Sequence, residues 1–249
     1  MLLELKNITF GFIKDKPLLK ELSMSLEKGK IYALMGGNGS GKTTLFNMIT
    51  GFLTCPEGSI YFDGKNITNK QPHLINRFGI GRTFQDLRII RNLTVRENII
   101  ISMQNNPSDN ILKAIMPRSF HFLSDTQLEL RAGTIAVQFF LNEVQSSLAG
   151  EISYGQQKLL SLACCVANGA SVLLLDEAVA GIQPDYRNKI VQLLKDLKSQ
   201  GKTILVIEHN SEFIEAVADA IYFLNGGKIA LFESMESLKK DKQVMESYI

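Results

Sequence analysis

Apolar positions along this chain change their rhythm twice. Over the first third they come as short β-type runs broken by turns. "LLELKNITFGF" and "LSMSLEKGKIYALMG" predict strands, the second interrupted at Lys28-Gly29, and "GSIYFDGKNIT" predicts a hairpin turning at Asp63-Gly64. Within this third, "KTTLFNMITGF" sets Leu45, Met48, Ile49 and Phe52 on one helical face and has Gly51 near its end. From about Val95 to Val166 the spacing is mostly helical, and "NNPSDN" and "PRSFHF" stand in it as irregular punctuation. The last third alternates again. "SVLLLDE" and "KTILVIEH" are continuous apolar runs, as strands covered on both faces should be. "DYRNKIVQLLKDLKSQG" is an amphipathic helix stopped at Gly201, "SEFIEAVADA" is a further helix and "AIYFLNGGKIAL" a hairpin. Strands alternating with helices predict an α/β fold with a mainly parallel sheet and helices on its faces.

The totals narrow the function classes. A chain of 249 residues is long enough for a sizeable core. A net charge of +2 is too near zero to point to nucleic acid on electrostatic grounds. The three cysteines, Cys55, Cys164 and Cys165, do not form a disulfide framework, and the adjacent pair reads as small apolar residues of a buried helix. No secretory leader is expected, because Glu4 interrupts the apolar start and no basic segment precedes it. No apolar run approaches the ~20 residues of a membrane helix. The protein is expected to be soluble or to sit on a membrane through a partner.

One stretch carries specific chemistry. Gly36, Gly41, Lys42 and Thr43 fit the phosphate-loop pattern G-x-x-x-x-G-K-[ST], with Gly37, Asn38, Gly39 and Ser40 inside it and Thr44 following. Glycines let successive N–H groups turn inward toward phosphate oxygens. The helix that follows offers its unpaired N-terminal N–H groups and positive dipole end. Lys42 supplies a mobile charge for the β- and γ-phosphates, and the Thr43 hydroxyl can ligate Mg²⁺. Such a loop needs a carboxylate on a neighbouring strand. Asp176 closes the run "VLLLDE", where an open α/β sheet binds ligands. Asp176 is thus the metal carboxylate and Glu177 the group placed to polarise an attacking water.

Further motifs resemble those of the ABC-type ATPases. Ser153, Tyr154, Gly155, Gln156 and Gln157 in "ISYGQQKLL" resemble the signature of that family. Phe12 stands where the family stacks an aromatic ring on adenine. Gln85 in "GRTFQDLRIIRNLTVREN" matches the Q-loop glutamine, a further metal ligand. "AGIQPD" matches the D-loop, and His209 in "VIEHN" the switch histidine that positions water at the γ-phosphate. The resemblance spans the whole chain. It implies a P-loop ATPase fold with an N-terminal antiparallel β subdomain, a core over 1–90 and 167–249, and a helical signature subdomain over 91–166. It implies that Ser153, Gly155 and Gln156 bind the ATP held by a second subunit, self or paralogue, in a head-to-tail dimer. Departures are Tyr154 for the first signature glycine, Ala178 for proline, Gln183 for aspartate and Cys164 for arginine. His73 and His121 lack a motif and read as surface or loop residues.

Within the family, "RTFQ" with "NLTVREN", "SYGQQ", "AGIQP" and "VIEHN" resemble the branched-chain amino acid importer ATPases. The resemblance implies ATP and Mg²⁺ as cofactors and a peripheral place on the cytoplasmic face of the cell membrane. It implies membrane permease subunits docked in a groove built from "DLRIIRNLTV", and, for an importer, an external substrate-binding protein acting on the permease. No nucleic-acid partner is expected. The alternatives are the ATPase of a lipopolysaccharide-type exporter and a soluble ABC-type ATPase without a membrane partner. The latter fits less well, since the chain has one cassette and neither a long coiled-coil insertion nor a basic tail.

Overall fold

Strand β3 (Ile31–Met35) shows how the core divides. All five of its residues are buried. Successive side chains of a strand point to opposite faces. Ile31, Ala33 and Met35 accordingly join one apolar cluster, and Tyr32 and Leu34 join another. The computed structural model describes residues 1–13, 15–103, 122–241 and 244. The remaining strands are β1 (Leu3–Phe10), β2 (Leu19–Leu26), β4 (Glu57–Phe62), β5 (Lys65–Asn66), β6 (Ile80–Arg82), β7 (Val172–Asp176), β8 (Thr203–Ile207), β9 (Ala220–Asn225) and β10 (Lys228–Phe232).

Two sheets result. One has the order β2-β1-β4-β5 and is antiparallel throughout. The other has the order β10-β9-β3-β8-β7-β6; only the β9–β10 hairpin is antiparallel. Helix α1 (Lys42–Ile49) lies between the sheets, burying Leu45, Phe46, Met48 and Ile49 against both. Burying Phe46 completely contributes roughly 2–3 kcal/mol of apolar transfer. Phe52 does not join that face: the helix has ended, Gly51 has turned the chain at φ 74°, and the Phe52 side chain is half exposed.

The opposite face of the large sheet is covered by helices. After α2 (Pro72–Phe78) and β6, the chain runs through α3 (Val95–Ser102), α4 (Phe122–Gln138) and α5 (Tyr154–Ala167) before returning as β7. Helix α6 (Pro184–Ser199) buries Ile190, Leu193, Leu194 and Leu197, the stripe expected from its 3.6-residue period. Helices α7 (Ser211–Val217) and α8 (Met235–Lys240) complete the layer. Cys164 and Cys165 pack against this core as small apolar groups, and burial pushes their thiols up to about 11 and about 12. "NNPSDN" and nearly all of "PRSFHF", with His121, lie outside the described residues. His73 is exposed on α2.

Candidate functional site

The glycine loop joins β3 to α1, and its backbone explains its composition. Gly36 (φ 150°) passes so close to β9 that a Cβ there would stand 2.3 Å from the Leu224 carbonyl oxygen. Gly41 (φ 110°) is the left-handed N-cap of α1, and no side chain caps the helix. Its first N–H groups therefore remain for another acceptor. Lys42 is buried and folds back over the loop, donating to the Gly36 and Gly37 carbonyls at 2.8 and 2.9 Å. Burial lowers its pKa, opposed by the charges of Glu177 and Asp176. The Ser40 hydroxyl is buried and finds no hydrogen-bond partner among the described residues. A bent run of N–H groups, an orphan hydroxyl and a charged amine make an anion cradle. Gly37, Asn38, Gly39 and Thr43 are exposed at its mouth, and Thr44 is half-buried.

Asp176 ends β7, two strands from β3 in the same parallel sheet. Its neighbour is a residue that the sequence reading passed over. Arg82, at the end of β6, places Nη2 3.3 Å from Asp176 Oδ2, with both side chains almost fully buried. Arg82 Nη1 also donates to Asn47 at 2.6 Å and to Thr50 at 3.3 Å, both on the far half of the α1 segment. Burial raises the Asp176 pKa, and the Arg82 charge and hydrogen bond oppose the shift.

Glu177 takes a left-handed backbone, φ 50°, which is uncommon outside glycine. Its N–H donates to the Ile207 carbonyl at 3.0 Å. Its carbonyl accepts from Lys158 Nζ at 2.5 Å and from the Ala180 N–H at 3.3 Å. The next strand brings Glu208, also missed from sequence. This buried carboxylate accepts the Val179 N–H at 2.8 Å and the His209 N–H at 3.2 Å. It thereby ties the segment after Glu177 to the segment that presents the exposed His209. Burial raises the Glu208 pKa against those two hydrogen bonds.

Other predicted residues stand around this centre. Phe12 is 73% exposed, its ring edge-on to Phe10 with centroids 4.9 Å apart. Gln85 is exposed in the segment after β6. In "DLRIIRNLTV", Arg88, Ile90 and Arg91 are exposed while Leu87, Ile89 and Leu93 are half-buried. Ser153 caps α5 in a reciprocal box: its hydroxyl accepts the Gln156 N–H, and the Gln156 side chain accepts the Ser153 N–H. Gly155 is pressed on the Tyr186 ring, where a Cβ would meet ring carbons at 3.0–3.2 Å. Among the described residues, Ser153, Gly155 and Gln156 make no hydrogen bond to the glycine loop of their own chain.

The donor set fits Mg²⁺. Asp176 carboxylate, Thr43 hydroxyl and Gln85 amide oxygen are hard oxygen ligands. No group of three His, Cys, Asp or Glu that could hold a metal exists among the described residues. Magnesium suits such a place because it is held by one or two protein oxygens together with phosphates and waters.

Residues 19–180 match the family model described as ABC transporter. The chain is 33% identical, over all of its length and 97% of the relative's, to a probable branched-chain amino acid transport ATP-binding protein LivG of Methanocaldococcus jannaschii. It is 32% identical to the LivG of Archaeoglobus fulgidus, covering 100% of this chain and 95% of that one. A nucleotide-free ATP-binding cassette from an ABC transporter superposes with a TM-score of 0.84 at 32% identity, covering 100% and 98% of the two chains. A dimeric post-hydrolysis cassette bound to ADP and Pi superposes with a TM-score of 0.74 at 25% identity, covering 93% and 98%.

Proposed function

The chain belongs to the ABC transporter family and has its P-loop ATPase fold, and from that premise we propose that it is the ATP-hydrolysing subunit of a branched-chain amino acid importer. The observation that supports this most is the convergence of Lys42, Asp176 and Glu177 on one edge of the parallel sheet, close enough for both carboxylates to act on the lysine. Phosphates occupy the cradle of residues 36–44, with Lys42 turning from the loop carbonyls to the β- and γ-oxygens. Phe12 stacks on adenine. Thr43, Asp176 and Gln85 would hold Mg²⁺, which would supply neutralisation of phosphate charge. Glu177 accepts the proton of the attacking water, and His209 holds that water against the γ-phosphate.

The working unit is a head-to-tail dimer in which Ser153, Gly155 and Gln156 of one subunit meet the nucleotide of the other. The free outer face of the Ser153 cap and the lack of any bond from it to its own glycine loop favour this arrangement. The helical subdomain over 91–166 carries that surface, and 1–90 with 167–249 carries the nucleotide. The chain works from the cytoplasmic face through permease subunits seated on the segment around Arg88, Ile90 and Arg91, and no helix among the described residues is itself long and apolar enough to cross a membrane. A substrate-binding protein delivers the amino acid to the permease from outside.

The test uses tagged Glu177→Gln purified with ATP from detergent-solubilised native membranes. Recovery of polytopic membrane proteins is expected, together with ATPase activity of the wild-type complex that rises with leucine, isoleucine or valine and the binding protein. Recovery of soluble partners alone overturns the transporter reading. Stimulation by a lipopolysaccharide rather than an amino acid overturns the importer.

A further inference from the structure

We propose that Lys158 is a positioning residue that holds Glu177 in place and couples the signature turn to it, an assignment that rests on the hydrolytic reading above. Lys158 lies in the first turns of α5, five residues after Ser153 and four after Tyr154. Its side chain runs beside a small cavity lined also by Thr83, Asp176 and Ala178, and its ammonium ends 2.5 Å from the Glu177 carbonyl oxygen. A left-handed backbone at a residue with a side chain costs roughly 1–2 kcal/mol and persists only where surroundings enforce it. Three contacts hold the Glu177 peptide groups. Two are main-chain bonds, to Ile207 and from Ala180; among the described residues Lys158 is the only side chain to join them.

Packing alone does not explain a lysine here. Burial works against its charge, and the nearby carboxylates of Glu208, Glu177 and Asp176 favour it. The hydrogen bond gives the lysine a role, since the group it touches is the backbone that aims Glu177. The other end of the same helical turn faces the partner surface. Gly155 is clamped on Tyr186, and the Tyr154 ring lies 3.6 Å from where a Cβ of Gly181 would stand. The Lys158 ammonium is also 5.5 Å from the centre of the Tyr154 ring. A helix moves as a rigid unit, so a shift of Ser153 and Tyr154 when a second subunit's nucleotide engages them displaces the Lys158 ammonium relative to Glu177. Tyr154, where the family signature has glycine, gives this turn a side chain that stands beside both Gly181 of the D-loop and the Lys158 ammonium.

The test compares steady-state ATP hydrolysis by full-length parent, Lys158→Met and Lys158→Arg, with affinity for a non-hydrolysable ATP analogue and melting temperature. Lys158→Met keeps the apolar stem and removes the charge. Its kcat should fall about tenfold or more while KM and analogue affinity stay within about twofold, and Lys158→Arg should recover much of the loss. Combining Lys158→Met with Ser153→Ala should lower kcat by no more than about twofold beyond the slower single variant. Unchanged kcat in Lys158→Met, or a loss carried by KM, overturns the positioning role. Fully multiplicative losses in the double variant overturn the coupling. If Lys158→Met does not fold, Lys158→Gln, one bond too short for the carbonyl, is judged by the same criteria. A parent chain with no ATPase activity overturns the hydrolytic reading as well; a parent that turns over while the variant matches it overturns this inference alone.

Discussion

Arg82 and Asp176 form a buried ion pair, Nη2 to Oδ2 at 3.3 Å, with side-chain exposures of 5% and 6%. The pair joins the proposed metal carboxylate to β6 and, through Asn47 and Thr50, to the helix that follows the glycine loop. Phe84 adds a second layer: the guanidinium of Arg82 is 4.7 Å from its ring centroid and that of Arg88 is 3.5 Å from it. Arg82→Ala leaves a buried carboxylate without the counter-charge that is paired with it directly. Breaking such a pair from one side costs about 3–5 kcal/mol. The expected result is a large drop in the urea midpoint with an unchanged slope. A midpoint within experimental error of the parent would show that Asp176 is solvated.

Phe12 carries an exposed ring on the segment that follows β1. Its one ring neighbour among the described residues, Phe10, meets it edge-on and leaves its faces open. Phe12→Ala should weaken ATP binding by about twofold to tenfold, since an aromatic stack is worth roughly 0.5–1.5 kcal/mol beyond area burial. Inorganic triphosphate, which has no base, should bind the variant and the parent alike. Equal losses for both ligands would place adenine elsewhere.

Strand, glycine loop and helix over residues 31–49 follow from the sequence because each step is local. An apolar run, positive-φ glycines and a 3.6-residue stripe all lie within twenty residues of one another. The alternation of the last third is legible for the same reason. Arg82 was not legible. Its strand is three residues long, contains Gly81 and is flanked by Gly79, so the segment reads as turn. Only the fold sets it beside β7, ninety-four residues later. Lys158 and Glu208 were hidden differently. Their partners are backbone groups of distant residues, and a main-chain carbonyl or N–H leaves no trace in residue type. Phe52 was misplaced because helical spacing was extended past Gly51, whose left-handed turn ends the stripe.

Glu208 gives a pH signature. Burial raises its folded pKa above the unfolded value, so the native state binds the proton more tightly than the unfolded chain. Stability contributed by this group is therefore present in acid and declines as pH rises from the ordinary carboxylate value through the raised folded one. Glu208→Gln removes that titration. The variant also keeps one acceptor oxygen where Glu208 meets the Val179 and His209 N–H groups with separate oxygens, and leaving one of them unpaired costs about 1–3 kcal/mol. The destabilisation of Glu208→Gln relative to the parent should be largest in acid and shrink toward neutral pH. A gap that widens with pH would mean that the two N–H bonds outweigh burial and that Glu208 is held below its ordinary value.

Lys42 separates binding from folding. In this conformation its ammonium is spent on the Gly36 and Gly37 carbonyls, at 2.8 and 2.9 Å. Those bonds keep the charge at the place where β- and γ-oxygens would arrive. Gly37 is exposed, so water can replace one of the lost donors in Lys42→Ala. The loop's shape rests on Gly36 and Gly41 rather than on the lysine. The melting temperature of the free protein should therefore move little. Affinity for ATP should fall by about 100-fold or more, because each charged hydrogen bond to phosphate is worth roughly 1.5–3 kcal/mol and the ammonium makes two. Titration calorimetry with ATP and with ADP distinguishes the two phosphates. Contact with both predicts a larger loss for ATP than for ADP. Equal losses would confine the lysine to the β-phosphate, and an unchanged ATP affinity would remove the glycine loop from the nucleotide site.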